Sequence, residues 1–140
     1  MNLLILAASL FVAIPAQEIR HVRLTHAIVL RENWDGHSIG AADERGRYQF
    51  KPSTWFRFSH RPLFWASSSR QDCLAEQDRV ARRVISEAIT RLPAMGMPVS
   101  PYTIALAWNA GLGAVERREI PMRAFEFAAA VKALYEDPNL

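Results

Sequence analysis

Apolar side chains recur at three- and four-residue intervals over most of the chain and hardly anywhere alternate with polar ones, a pattern that predicts helices. From Glu18 to Asn33, EIRHVRLTHAIVLREN places Ile19, Val22, Leu24, Ala27, Ile28 and Leu30 mostly at helical spacing, with Glu32 in the last turn. A carboxylate there opposes the helix dipole. It is a local cost that stability alone does not call for. The following DGHSIGAADERG holds Gly36, Gly40 and Gly46 and predicts a loop, after which Tyr48, Gln49 and Phe50 form a short extended piece. A helix starting at Pro52 or Ser53 then runs through Thr54, Trp55 and Phe58, with Pro accommodated in the first turn and Ser as the cap.

Residues 60 to 71 read as a connection. The stripe Ala81, Val84, Ile85, Ala88, Ile89, Leu92 then predicts a long amphipathic helix from Gln71 to Leu92, closed by Pro93 and Gly96. Ser100-Pro101 is an N-cap followed by Pro at the first helical position, opening PYTIALAWNA, which Gly111 and Gly113 stop. A last helix covers about Arg123 to Tyr135 and ends before Asp137-Pro138. The expectation is a mainly α domain of about five helices with little or no sheet.

Length and composition narrow this picture. At 140 residues, half of them hydrophobic, the chain suits one domain with one core. The opening MNLLILAASLFVAIPAQE is uncharged until Glu18, apolar from Leu3 to Ile14, and has Ala16 after Pro15. Residues 1–16 therefore read as a secretory signal, although no Lys or Arg precedes the apolar block, and 17–140 as the exported domain. That apolar run is short of the ~20 residues a membrane-spanning helix needs, so no stable membrane insertion is expected after cleavage. The formal charge of +3 is a mild excess compatible with an anionic polymer, but no basic run suggests nucleic acid. Cys73 is the only cysteine and reads as a small residue on a helix face.

Glu32 is the candidate that context strengthens. Trp34, Tyr48, Phe50 and Trp55 follow it, and a carboxyl held among rings loses hydration, which raises its pKa toward the range useful for donating a proton. Aromatic faces also suit the apolar faces of sugar rings.

Three segments in series carry a resemblance: Glu32-Asn33; Gly46-Arg47-Tyr48-Gln49 with Pro52-Ser53-Thr54; and Ala107-Trp108-Asn109-Ala110-Gly111. In order and spacing they resemble the lysozyme-like domain of soluble lytic transglycosylases, related to goose-type lysozyme, over roughly residues 22 to 136. The resemblance implies a lysozyme-like helical fold in which the loop brings the Gln segment back beside the helix-end Glu in a sugar groove. It implies that Glu32 protonates the leaving glycosidic oxygen and then takes a proton from the sugar's own 6-hydroxyl. The implied reaction cleaves peptidoglycan between N-acetylmuramic acid and N-acetylglucosamine and leaves a 1,6-anhydro ring on the N-acetylmuramic acid. By the same resemblance Asn33, Tyr48, Gln49, Trp108 and Asn109 contact substrate, while Gly46 and Gly111 permit tight turns. No cofactor is implied, and the protein is expected to act as a monomer on glycan strands at the cell wall, in the periplasm or outside the cell.

Asn33 stands where the family usually has Ser, Tyr48 where it has Met, and Trp108 where it has Tyr. An indole N–H can donate to an ionised Glu32 but cannot accept from a protonated one. Asp35, Asp43 and Glu44 offer a second carboxylate, which at roughly 6.5–9.5 Å from Glu32 would favour inverting hydrolysis, the lysozyme alternative. Otherwise they are solvated or paired with Arg45 or Arg47. A non-catalytic glycan-binding module is the other alternative. His21, His26, His37 and His60 form no i, i+4 pair and suggest no metal site. Ser67, Ser68 and Ser69 lack the setting of a nucleophile and read as loop. The ring cluster Trp55, Phe56, Phe58, Phe64, Trp65 reads as core before groove.

Overall fold

The structure, a computed structural model, describes residues 19–32 and 39–140. The expected leader, and with it Asn33, Trp34, Asp35, Gly36 and His37, lie outside the described residues. The described chain is mainly α, as its periodicity predicts. Its helices are α1 (His21–Glu32), α2 (Pro52–Phe58), α3 (Gln71–Arg91), α4 (Pro101–Ala110), α5 (Leu112–Arg117) and α6 (Met122–Glu136), with 3-10 turns at Leu63–Ala66 and Pro93–Met95. Extended pairing among the described residues is limited to isolated bridges, Ile39 with Arg45 and Arg45 with Phe50.

Helix α4 is the hub. Its sequence is apolar on all sides, and Pro101 and Thr103 through Ala107 are buried between α6, α3 and α5. Its start follows from sequence: Ser100 Oγ accepts from the Thr103 N–H at 3.1 Å, and Thr103 Oγ1 accepts from the Ser100 N–H at 3.0 Å, a reciprocal cap. In α3, Cys73, Gln77, Val80, Ala81, Ile85 and Ala88 are buried along one stripe. Val84, expected in the core, is instead half-buried because it floors the cleft described below.

Three local expectations are corrected. Val22 and Leu30 on α1 are 78% and 45% exposed, because the buried face is set by Leu24, Thr25, Ala27 and Ile28. Ser53 does not cap α2: Lys51 occupies the N-cap with no side-chain bond, and the fixed φ of Pro52 opens the helix. Gly113 does not end α4, since the chain turns at Gly111 with φ 86° and starts α5 at once, placing Gly113 inside it. The ring cluster also divides. Trp55 is fully buried and donates its indole N–H to Arg61 O at 2.8 Å, whereas Phe56 and Phe64 are each 57% exposed.

Helix α1 is fastened to the far end of the chain. The Arg23 guanidinium donates to the carbonyls of Tyr135 (2.5 Å), Leu140 (3.1 Å) and Asp137, and the Arg20 N–H donates to Tyr135 Oη at 3.1 Å. The bond to Tyr135 O takes up a carbonyl of the last turn of α6 that lacks a helical partner.

Candidate active site

Leu24, Ile28 and Glu32 stand at i, i+4 and i+8, so the face that docks α1 on the core delivers Glu32 to the edge of that core. There its carboxyl enters a cleft of about 370 Å³ formed by the end of α1, the 39–51 loop, α2, the second half of α3, the end of α4 and the start of α5. Burial raises the Glu32 pKa from 4.5 to about 7; Arg31 opposes this, and the negative charge of Glu44 adds to it. Burial, the largest cause, disfavours the anion because the low-polarity wall replaces its hydration.

The loop opposite is held by a compact network. Glycine at 46 is required: its φ is 70°, and a Cβ there would lie 1.9 Å from Ala66 O. The Gly46-to-Gln49 turn closes with Gln49 N–H to Gly46 O at 2.9 Å and is flanked by paired bonds between Arg45 and Phe50 at 2.8 and 3.0 Å. Gln49 itself has φ 49°, a conformation unusual for a non-glycine residue, and its Nε2 donates to Gly46 O at 2.8 Å. Arg47 pairs with Asp78 on α3, and Tyr48 Oη donates to the same carboxylate oxygen at 2.7 Å. Burial, followed by the bond to Asp78, holds the Tyr48 phenol well above its usual pKa. Tyr48 therefore offers the cleft its ring, while its hydroxyl is committed to anchoring the loop.

From the other side come Trp108 and Asn109. Trp108 packs at 6.0 Å on Tyr48 and 5.8 Å on Phe50, forming an aromatic wall. No hydrogen bond joins its indole N–H to Glu32 among the described residues. Asn109 Oδ1 is buried and accepts no hydrogen bond from the described residues. A buried acceptor without a partner carries a desolvation cost that a hydroxyl or amide of a ligand would relieve.

Thus Glu32, Tyr48, Gln49, Trp108 and Asn109 all line one cleft. Trp55, one of the rings expected near Glu32, lies in the core instead, 5.8 Å from Phe50. Of the candidate second carboxylates, Asp43 pairs with Arg45 at 2.5 Å, while Glu44 lines the cleft and accepts the Ala42 N–H at 2.9 Å. Sequence reasoning missed Asp78, the loop's anchor, and the charged wall of Lys51, Arg57, Glu87 and Arg91. Their partners are distant in sequence and follow no short motif. Among the described residues no group of His, Cys, Asp and Glu could hold a metal ion, and no helix is long and apolar enough to cross a membrane.

No family model, curated protein or solved structure matches this chain.

Asn109→Ala tests whether the orphaned acceptor serves a ligand. Removing it should leave the melting temperature unchanged or higher, because an unsatisfied group is lost, while affinity for a chito-oligosaccharide falls about 5-fold. Calorimetric unfolding and titration of the same variant check both.

Proposed function

We propose that this protein is a lysozyme-like enzyme that cleaves the glycan of peptidoglycan between N-acetylmuramic acid and N-acetylglucosamine, as a lytic transglycosylase. The observation that carries the reading is the Glu32 carboxyl, desolvated to a pKa of about 7 inside a cleft shared with Trp108 and Asn109. Near neutral pH both of its protonation states are populated, so one group can act first as acid and then as base. In the first step Glu32 gives its proton to the glycosidic oxygen as the bond to C1 breaks, and the substrate's acetamido group stabilises the charge at C1. In the second the Glu32 carboxylate removes the proton of the 6-hydroxyl as O6 bonds to C1, restoring the acid without consuming water. Substrate assistance of this kind dispenses with a second carboxylate. Asn109 Oδ1 would accept from a sugar hydroxyl or acetamido N–H, and the Tyr48, Phe50 and Trp108 rings would back a sugar face.

One observation favours a second reading. Glu44 shares the cleft, and its charge reaches Glu32, so it could activate water for hydrolysis. Product mass separates the two. Incubated with cell-wall sacculi, the protein should release muropeptides lighter by one water than hydrolytic products; water-added products would establish a lysozyme instead. Sedimentation with sacculi but no release would leave a glycan-binding module.

A further inference from the structure

The cleft is charged unevenly. Glu32 and Glu44 enter it from α1 and the 39–51 loop, whereas the wall built by α2 and α3 carries Lys51, Arg57 and Arg91 against one lining carboxylate, Glu87. Arg57 Nη2 donates to Glu87 Oε1, and Arg91 Nη1 lies 3.5 Å from the same oxygen. Arg91 also approaches Glu116 Oε2 at 3.5 Å, but Glu116 does not line the cleft. The exposures decide what a ligand meets: the Glu87 side chain is 17% exposed, those of Arg57 and Arg91 58% and 39%. The carboxylate is sunk beneath the two guanidiniums it organises. Each guanidinium has five N–H donors in a planar fork, so most remain free for an anion. Lys51, exposed at the start of α2, forms no ion pair among the described residues and adds a third positive charge.

We propose that Lys51, Arg57 and Arg91, held by Glu87, form a carboxylate-binding subsite that takes an acidic group borne by the glycan. The inference rests on the glycan-cleaving reading and deepens it. A muramyl strand carries such a group on its lactyl ether or on the stem peptide attached there. Recognising it would set the register of the strand in the cleft, and neutral polymers of N-acetylglucosamine would lose this contact.

The test uses the full chain carrying Glu32→Gln, so that ligands are not consumed, and titrates three probes by calorimetry at low ionic strength. They are chitotetraose, the peptide-free muramyl tetrasaccharide with its lactyl acid, and the same tetrasaccharide bearing stem peptides. An acidic probe should bind about 10-fold tighter than chitotetraose, and the preference should shrink with added salt. Tighter binding of the peptide-free acid places the contact at the lactyl group; a gain only with peptides places it on the stem. Adding Arg57→Gln with Arg91→Gln should abolish the preference. Since that pair exposes Glu87 to loss of both partners, Lys51→Gln is the milder check and should reduce the preference alone. Chitotetraose binding with no acidic preference, or a preference indifferent to all these changes, overturns the subsite and leaves the enzyme reading intact. Failure of all three probes to bind overturns both.

Discussion

Replacing Glu32 by Gln should lower turnover of sacculi by at least about 10³-fold while leaving the fold and glycan binding in place. The amide is nearly isosteric with the carboxylic acid but has no acidic proton to give. A residual rate within a few-fold of the parent would remove Glu32 from the mechanism. The same variant should carry a stability signature. The folded-state pKa of Glu32 is about 7 against 4.5 for the ordinary carboxyl, so between those values the folded chain binds more protons than the unfolded one. Stability therefore falls as pH rises from 4.5 through 7 and levels off above, where ionised Glu32 is penalised in the folded state alone. Glu32→Gln removes that slope. The variant should melt higher than the parent above pH 7 and alongside it below pH 4.5, and kcat/KM of the parent should decline above about 7 as its acid form is lost. A parent whose melting temperature shows no such difference would place the carboxyl in water.

Gly46→Ala should be the most damaging substitution for the fold. Two penalties combine: a Cβ at φ 70°, and a collision at 1.9 Å with Ala66 O, a backbone atom that cannot swing away. Left-handed strain costs about 1 kcal/mol, and relieving the overlap by shifting the loop costs roughly 2 kcal/mol more. The midpoint should fall by about 10 °C, and turnover should fall with it, since Glu44, Tyr48 and Gln49 ride on the same loop. Gly96→Ala provides the comparison. Gly96 has a similar φ of 72°, but nothing lies within 4 Å of a Cβ there, so only the strain should register. Equal midpoints for the two variants would show that the loop does not press on Ala66.

Much of the frame was legible because long helices advertise themselves. The stripe of α3 and the Ser100-Pro101 start of α4 are local signals, and these two helices lie within a residue of their expected bounds, whereas α5 carried no signal that separated it from α4. Glu32 was legible as a candidate because it closes an apolar helical run, is followed by Trp34, Tyr48, Phe50 and Trp55, and opens the three-segment resemblance. What was illegible depends on partners far along the chain. Val22 and Leu30 fit a helical period as well as their neighbours do, and only the position of α6 and α3 selects the buried face. Nothing near Tyr48 announces that its hydroxyl is held by Asp78, thirty residues on. Arg57 and Arg91 likewise read as surface charges until α2 and α3 bring them together over Glu87.

The clasp of Arg23 on the end of α6 bears on how the molecule is made. In order of synthesis α1 precedes α6, yet the Tyr135 carbonyl it grips and much of the surface it rests on belong to α6, more than a hundred residues later. The carboxyl-bearing helix thus stays undocked until α6 has been made, and a chain cut before α6 has every residue of the cleft in hand without the means to hold it closed.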